Sequence, residues 1–315
     1  MNDIKHSILI ITYNQQHLLA QALNSLLIQS VAPYEIIISD DASTDQTWNV
    51  VMHYYNRFPA IIKPFRNEKN LGIFGNFNKI KNLPTGDIIS LLAGDDYYKL
   101  GIFEAFNKEV KKYNIDPQKE KFILISNAID LHVDGTEVIY NNYKFRNQNL
   151  FKLKIRYGLN FRDTGFSAAM WKNISPIRED LGYLADWLYC IDQIEKSEHF
   201  YFINKAFPVY RIGSGITAKE KIESLIKSKL SVVLYIIEKY DYKLDSSDKL
   251  FLKKEVAYNK YILNSTFYGF FVTAYYLLAN WNNYPFYRTW YLEMKTFLLI
   301  TGSKILKLLK LKQSK

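Results

Sequence analysis

The sequence predicts an α/β fold, in which an open, doubly wound and mostly parallel sheet is followed by a helical C-terminal region. In the first half of the 315-residue chain, β-type runs alternate with segments of helical periodicity. The β-type runs are apolar throughout, which is typical of parallel strands that helices cover on both faces. Because 48% of the residues are hydrophobic, a chain of this length can bury a large core.

Apolar runs define the strands, and amphipathic stretches define the helices between them. The predicted strands are Ser7–Thr12, Glu35–Ser39, Ala60–Ile62, Asp87–Leu92 and Phe122–Ile125. The predicted helices are Gln15–Gln29 with Asn14 as its N-cap, a helix that Ser43 and Gln46 open with the spacing of a capping box, Phe74–Asn82 and Ile102–Tyr113. Successive strand–helix–strand units of this kind build a parallel sheet.

A change in composition near residue 215 divides the chain. We expect an α/β domain over residues 1–215 and a helical region over 216–315, since the pattern from Ile216 onward is helical, aromatic and lysine-rich. The uncharged stretch Tyr261–Trp281 is about long enough to cross a bilayer, but its polar residues favour a buried or interfacial helix. Phe297–Leu311 would place leucines on one side and lysines on the other, as in a basic helix on an anionic membrane or a core helix with a solvated face.

The net charge of +10 favours an anionic partner without choosing among nucleic acid, membrane and small phosphates. A nucleic-acid-binding protein would cluster basic and aromatic residues on one face, whereas here the basic residues are spread through the chain, so we expect no nucleic-acid partner. Cys190, the single cysteine, cannot form an internal disulfide, and the start of the sequence lacks the pattern of a signal peptide. We therefore expect a cytoplasmic protein.

Two pairs of aspartates follow predicted strands. Asp40 and Asp41 end the second strand, and Asp95 and Asp96 follow the strand that ends at Leu92. Ligands of open α/β sheets bind at the carboxyl ends of the strands. A carboxylate pair at that edge favours Mg²⁺ or Mn²⁺, with diphosphate oxygens and water as the other ligands. Aspartates are also common in turns and helix caps, which is the alternative interpretation of each pair.

Four segments, in order and spacing, resemble the family 2 glycosyltransferases, which have the GT-A fold. These segments are Ser7–Asn14, Glu35–Asp45, Asn70–Gly72 with Asn76, and Gly86–Asp96. The resemblance implies a metal-dependent, inverting enzyme that moves a sugar from a UDP- or dTDP-sugar to a hydroxyl. It also implies a glycan or lipid-linked glycan as acceptor and cell-surface polysaccharide assembly as the setting. The basic C-terminal region would provide peripheral contact with the inner face of the membrane.

The resemblance assigns the nucleotide end of the site to the first two strands. Thr12 and Tyr13 would line the nucleobase pocket, Tyr13 by stacking, and Asn14 follows them in the same motif. Asp41 would accept a hydrogen bond from a ring N–H of uracil or thymine. Asn70 would also contact the nucleotide sugar.

The phosphate end of the site falls, by the same resemblance, to later residues. Asp95 would hold the ribose or support the metal site, and Asp96 would bind Mn²⁺ or Mg²⁺. Arg211 lies in a segment that resembles a loop closing near the phosphates, and a guanidinium suits bidentate phosphate contact. The chain departs from the family at Ala93, where another aspartate often stands.

Asp186 is the expected catalytic base, because Leu184–Leu188 resembles the family's segment of acidic residues followed by tryptophan. It would take the proton of the acceptor hydroxyl. Ala185 stands where the family has its first acidic residue, and Asp180, Glu179 and Asp192 are competing carboxylates nearby.

Two other functions fit parts of the sequence. A sugar-phosphate nucleotidylyltransferase would also use an α/β sheet and a metal, but no Gly-rich loop with a basic residue follows the first strand. A catalytically silent protein that binds nucleotide sugars or polyanions is supported by Ala93, Ala185 and the basic charge. Turnover of the donor separates the enzyme from the silent protein.

Overall fold

A computed structural model describes residues 3–157, 164–213 and 221–264. The strands in these residues are β1 (His6–Thr12), β2 (Glu35–Asp40), β3 (Ile62–Arg66), β4 (Ile88–Ala93), β5 (Tyr97–Tyr98), β6 (Phe122–Leu131), β7 (Glu137–Tyr140), β8 (Gly165–Ser167) and β9 (His199–Arg211). The α-helices are α1 (Leu19–Leu27), α2 (Thr47–Arg57), α3 (Gly72–Ile80), α4 (Ile102–Tyr113), α5 (Leu150–Tyr157), α6 (Ala168–Trp171), α7 (Ala185–Lys196), α8 (Ile222–Tyr240) and α9 (Ser246–Asn264).

One sheet joins the described strands, in the order β3-β2-β1-β4-β8-β6-β9-β5, and β7 pairs with β6. β3, β2, β1 and β4 run parallel to one another, and the parallel pair β6–β9 is connected to them through the short antiparallel strand β8. The chain moves from β1 outward to β3 and then returns to the other side of β1 to form β4. Such a reversal of strand order opens a crevice at the carboxyl ends of the strands.

The apolar strands are buried as their composition predicts. Every residue of β2 is buried, and all but one residue of β1 is. A continuous core packs these strands against α1, α2 and α4, with Leu23, Val51 and Phe106 among its fully buried members. Burying side chains of this size contributes about 1.5–3 kcal/mol each. The core therefore holds the strand ends in fixed register.

The chain divides into two compact units. The first consists of Met1–Phe151, Asn160–Asp180 and Tyr189–Lys219, and the second of Lys152–Leu159, Leu181–Leu188 and Glu220–Lys315. In the second unit α8 and α9 pack together through buried residues such as Val233, Ile236 and Leu252. Asp248, fully buried there, is paired with Arg156, whose Nη2 lies 2.6 Å from Oδ1. A buried carboxylate needs such a partner to offset its desolvation.

The structure confirms the predicted α/β fold and corrects several boundaries. Asn14 does not cap α1, because it has the left-handed φ of 51° and the helix begins at Leu19. Ser43 and Gln46 do not form a capping box either, since the Ser43 hydroxyl donates to Asp40 and α2 begins at Thr47. The third strand begins at Ile62, where the prediction had it end.

The described residues include only some of the segments that were predicted for the C-terminal part of the chain. α8 and α9 agree with the predicted helical pattern beyond Ile216. None of the helices within residues 3–157, 164–213 and 221–264 is long and apolar enough to cross a membrane. Most of Tyr261–Trp281 and all of Phe297–Leu311 lie outside the described residues.

Candidate functional site

The carboxyl ends of β1, β2 and β4 meet beside the crevice, and they bring together the two predicted aspartate pairs. Thr12 ends β1 opposite Asp40 of β2, and its carbonyl accepts a 2.9 Å hydrogen bond from the main-chain N–H of Asp41. Gly94 follows β4 and donates its N–H to the carbonyl of Ile11. A Cβ on Gly94 would lie 2.8 Å from Thr12 Oγ1, so only glycine allows this approach of the turn to β1.

The loop after β1 is tied to the loop after β2. Asn14 donates its N–H to Ser43 Oγ at 2.9 Å, and its Oδ1 accepts from the N–H of Thr44 at 2.9 Å. These bonds explain the left-handed backbone at Asn14, a residue type that tolerates this conformation. Tyr13, held between Thr12 and Asn14, is 39% exposed, so its ring is accessible for stacking.

Asp41 is buried and held by donors from outside its own strand. Its Oδ1 accepts from Asn67 Nδ2 and from the N–H of Leu71, each at 2.8 Å. Asn67 also donates to Asn76 Oδ1 at 3.0 Å, and Asn76 donates to the carbonyl of Ser39 at 3.0 Å. This network fixes the Asp41 carboxylate at the edge of the sheet. Hydrogen bonds to a charged acceptor contribute about 1.5–3 kcal/mol each.

Asp40 has a structural role beside Asp41. It is fully buried, accepts from the Ser43 hydroxyl, and lies 3.2 Å from Nε of Arg66. Burial raises the pKa of the Asp40 carboxyl, and the bonds from Ser43 and the charge of Arg66 oppose this rise. Of the pair at the end of β2, Asp40 therefore stabilises the loop after β2, whereas Asp41 is held at the carboxyl ends of the strands.

Asp95 and Asp96 lie in the turn between β4 and β5, and Arg211 at the end of β9 binds this turn. The main-chain N–H of Arg211 donates to Asp96 Oδ1 at 2.9 Å. Its guanidinium donates to the carbonyl of Asp95 and to Gln21 Oε1, and it lies 4.9 Å from the centre of the Tyr97 ring. Both aspartates are buried. Because Arg211 binds both of them, it contributes to the orientation of the acidic turn.

The acidic turn fits a divalent cation only together with a substrate. Carboxylate oxygens are suitable ligands for Mg²⁺ and Mn²⁺. Across residues 3–157, 164–213 and 221–264, however, no group of three or more His, Cys, Asp or Glu side chains is placed to hold a metal ion. Mg²⁺ commonly binds through one or two carboxylates and completes its coordination with substrate phosphates and water. The pair of carboxylates is consistent with that arrangement.

Two of the predicted site residues, Asn70 and Asp186, are exposed, unlike the buried aspartates at the strand ends. Asn70 is exposed, and its Oδ1 accepts from the N–H of Gly72 at 2.8 Å, so in this structure it shapes the loop before α3. Asp186 is an exposed residue in the first turn of α7, and it belongs to the second unit. Beside it, Trp187 is anchored within that unit by a 2.8 Å bond from Nε1 to the carbonyl of Lys154. Asp180 is paired with Arg178 through both carboxylate oxygens.

Sequence reasoning did not identify Asn67 and Gln21 as site residues. Asn67 directly follows β3, and an asparagine at the carboxyl end of the third strand was the available signal. Gln21 lies on α1 and reaches Arg211 across 190 residues of sequence. No spacing rule indicates such a contact, because it depends on how β9 packs beside the first half of the sheet.

Sequence comparisons identify relatives of this chain. The model of the glycosyl transferase family 2 matches residues 7–170. The chain is 34% identical over 113 residues to an uncharacterized protein of Mycobacterium tuberculosis, a match that covers 36% of this chain and 32% of that protein. It is 24% identical over 295 residues to the cholesterol galactosyltransferase of Borreliella burgdorferi, covering 89% of this chain and 76% of that enzyme. The chain spans about a third of the length of its mycobacterial relative.

Structure comparisons support the fold. TarS of S. aureus, solved in complex with UDP-GlcNAc, is 18% identical and superposes with a TM-score of 0.62 over 88% of this chain and 81% of that one. The mannosyltransferase PcManGT of Pyrobaculum calidifontis, in complex with GDP-Man and Mn²⁺, is 15% identical, with a TM-score of 0.55 over 97% and 88% of the two chains. These similarities confirm the GT-A fold. Because the family model matches more than half of the residues, the chain belongs to the glycosyl transferase family 2.

Proposed function

We propose that this protein is an inverting glycosyltransferase that takes a sugar from a UDP- or dTDP-sugar and delivers it to a hydroxyl acceptor. The observation that carries the proposal is the arrangement at the strand ends, where the held carboxylate of Asp41 and the acidic turn of Asp95 and Asp96 share one edge. A nucleoside diphosphate has a base at one end and two phosphates at the other. The two groups of side chains match these two ends.

The nucleobase would bind between Tyr13 and Asp41. Uracil and thymine both carry a ring N–H that can donate to a carboxylate, whereas the matching edge of adenine presents an acceptor instead. Asp41 is held by the protein's own groups, because Asn67 and Leu71 donate to its Oδ1. A charged acceptor held in a buried setting favours a base that can donate to it and disfavours one that cannot. Thr12 and Asn14 would complete the wall of this pocket.

The diphosphate would bind near Asp96, Asp95 and Arg211. Mn²⁺ or Mg²⁺ held by Asp96, when bound, would stabilise negative charge on the departing diphosphate. Asp95 would hold the ribose or support the metal site. Arg211 would add positive charge beside the phosphates, and its contacts with the Asp95 carbonyl and Gln21 keep it at this edge. Asn70 would contact the nucleotide sugar from the loop before α3.

The transfer step would proceed by direct displacement. The acceptor hydroxyl attacks the anomeric carbon, the bond from that carbon to the diphosphate oxygen breaks, and the hydroxyl proton passes to a carboxylate. We propose Asp186 as this carboxylate, on the resemblance of its segment to the family and on its exposed place in the first turn of α7. A single displacement of this kind inverts the configuration at the anomeric carbon.

The acceptor and its setting are proposed from the resemblance. We propose a glycan or lipid-linked glycan acceptor in polysaccharide assembly, and peripheral contact with the inner face of the membrane through the basic C-terminal region. Among the matched relatives, WfgD of Escherichia coli carries the name of a UDP-Glc:α-D-GlcNAc-diphosphoundecaprenol β-1,3-glucosyltransferase. Its 28% identity covers 45% of this chain. The helical region over residues 216–315 remains a proposed domain.

A competition experiment tests the proposed donor site. In calorimetry with Mg²⁺, UDP should bind, and ADP should compete weakly. Asp41→Ala should weaken UDP binding by about 1.5–3 kcal/mol, the usual contribution of a hydrogen bond to a charged group. Asn49→Ala, on the exposed face of α2, is the matched control and should bind UDP like the parent. Equal binding of UDP and ADP, or an unchanged Asp41→Ala variant, would exclude Asp41 as the residue that reads the base.

A second function, binding of nucleotide sugars without turnover, is favoured by Ala93 and Ala185, which stand where the family has acidic residues. Incubation of the protein with a panel of UDP- and dTDP-sugars, with and without Mn²⁺, separates the two functions. An enzyme releases free nucleoside diphosphate by transfer or by slow hydrolysis. A silent binding protein leaves every donor intact.

A further inference from the structure

A groove of about 320 Å³ lies in the first unit at the amino-terminal end of β9. Rings of Phe151, Phe200 and Phe202 form part of its wall, together with the polar side chains of Arg146, Asn149 and Glu198. Phe200 and Phe202 are half-buried, whereas Arg146, Asn149 and Glu198 are exposed. None of these residues belongs to the proposed donor site.

The groove lies near the amino-terminal end of β9, and the acidic turn lies at its carboxyl-terminal end. β9 runs parallel to β6, and β6 and β4 are both antiparallel to β8, so β9 and β4 point in the same direction. Arg211 at the carboxyl end of β9 binds the acidic turn, while Phe202 lies nine residues earlier in the same strand. At about 3.3 Å per residue, that separation is roughly 30 Å. One sugar residue cannot therefore occupy both places.

The chemistry of the groove selects a neutral, polyhydroxylated ligand. Arg146 and Glu198 in the lining carry opposite formal charges, and Lys121, whose ammonium lies 3.3 Å from Glu198, is outside the lining. A nucleotide or phosphate would need an excess of cationic groups, which the lining does not supply. Planar guanidinium, amide and carboxylate groups can each make two hydrogen bonds to neighbouring hydroxyls, while phenyl rings pack against the apolar C–H face of a pyranose. The volume falls at the lower end of the range for small-molecule sites.

We propose that this groove is a second, non-catalytic binding site for neutral oligosaccharides. The site would hold part of a glycan away from the strand ends at which the donor is proposed to bind. The proposal goes beyond the proposed function and does not depend on the identity of the donor sugar. It requires that oligosaccharide binding be independent of nucleotide.

Calorimetry and saturation-transfer NMR with maltotriose, chitotriose and cellotriose test the proposal, each with and without saturating UDP and Mg²⁺. We expect at least one trisaccharide to bind, with an affinity that UDP changes less than twofold. Arg146→Gln and Asn149→Ala should each weaken that binding at least fivefold. Asn147→Ala is the matched control, because Asn147 is exposed and lies between Arg146 and Asn149 in sequence but outside the lining of the groove. This variant should bind the trisaccharide like the parent.

Phe200→Leu keeps apolar volume but removes the flat ring, so it tests stacking separately and should also weaken binding at least fivefold. Unchanged thermal unfolding and unchanged UDP affinity would show that a variant is folded and that its donor site is intact. The proposal is overturned if no trisaccharide binds, if UDP abolishes the binding, or if the lining variants bind like the Asn147→Ala control. A failure of UDP to bind would count against the proposed donor site only, because trisaccharide binding to the groove is measured separately in the absence of UDP.

Discussion

At the scale of single residues, the structure distinguishes neighbouring carboxylates that look alike in sequence. Asp40 and Asp41 are adjacent and both buried, yet Asp40 is engaged by Ser43 and Arg66 whereas Asp41 is engaged by Asn67 and Leu71. The prediction that Asp41 faces the ligand remains open to test. These different partners give the two adjacent carboxylates different settings.

Asp96 should determine metal-dependent nucleotide binding. In Asp96→Asn, a neutral amide replaces a carboxylate that suits a hard cation, so the affinity for UDP in the presence of Mn²⁺ should fall at least tenfold, the scale on which even supporting contacts of a metal site act. Without metal, the affinity of the variant for UDP should equal that of the parent. Calorimetry under both conditions measures the difference. Equal affinities in the presence of Mn²⁺ would show that Asp96 is not a metal ligand.

Asp186 should affect turnover and not donor binding. Because a general base contacts the acceptor proton, Asp186→Asn should lower transfer by roughly 100-fold or more while leaving UDP affinity nearly unchanged. Asp192→Asn, a carboxylate on the same helix, is the matched control and should retain turnover. The configuration of the product, determined by NMR, is an independent check. Normal transfer by Asp186→Asn, or retention at the anomeric carbon, would refute this mechanism.

At the scale of elements, the turn between β4 and β5 depends on its contact with β1. A Cβ at position 94 would approach Thr12 Cβ to 2.9 Å, closer than folded proteins allow. Gly94→Ala should therefore displace the turn that carries Asp95 and Asp96. We expect a loss of about 1–3 kcal/mol in the free energy of unfolding, typical of overpacking, together with weaker UDP binding.

The double variant Thr12→Ala with Gly94→Ala separates crowding from other causes of that loss. Removing the Thr12 hydroxyl takes away its 2.8 Å contact with the new Cβ and releases Gln15 Oε1, which that hydroxyl holds close to the same place, while the contact with Thr12 Cβ stays. The double variant should therefore lose less stability than the two single variants lose together. Gly135→Ala is a useful comparison, since Gly135 has no neighbour within 4 Å and its cost would come from its left-handed φ of 84° alone. If the losses of the two single variants simply added in the double variant, crowding by the Thr12 hydroxyl would not be the cause.

The elements that the sequence predicted correctly are those with one dominant signal. β1, β2 and β4 are short apolar runs, and all three appear close to their predicted places. β9 was not predicted, because it mixes Asn204, Lys205 and Pro208 with apolar residues and pairs with β6 through register shifts. The start of α1 was placed too early because Asn14 serves the loop after β2 and not the helix. Local patterns could not reveal either fact, since both depend on partners distant in sequence.

At the scale of the whole molecule, His6 makes stability depend on pH. Its ring is buried, stacks on Phe103 at 4.6 Å, and lies 2.8 Å from Asn107 through Nε2. Burial lowers the pKa of His6 to about 4, although Asn107 and the charge of Asp87 oppose the shift. Because the unfolded chain binds a proton near pH 6.5 and the folded chain only near pH 4, this contribution is present above pH 6.5 and is lost as the pH falls between these values.

The thermal midpoint should therefore fall between pH 6.5 and pH 4, with His6 contributing on the order of 3 kcal/mol to the change. His6→Phe keeps an aromatic ring against Phe103 and removes the titration, so its midpoint should vary less over this range. His17→Phe, at a more exposed position, controls for the loss of a histidine and should follow the parent. An identical pH profile for the parent and His6→Phe would show that His6 is not responsible.

The network around Asp41 also affects how a nucleotide would bind. The carboxylate, the Asn67 amide and the Leu71 N–H are joined by the protein's own hydrogen bonds, and they stand at the ends of β2 and β3 and at the start of α3. A preorganised acceptor spares the ligand the entropic cost of immobilising side chains. The amide hydrogen of Leu71 should therefore exchange slowly with solvent even before UDP is added, and nucleotide should change its protection little. Base recognition would then follow a lock-and-key course in which association is limited by encounter and not by rearrangement of the pocket.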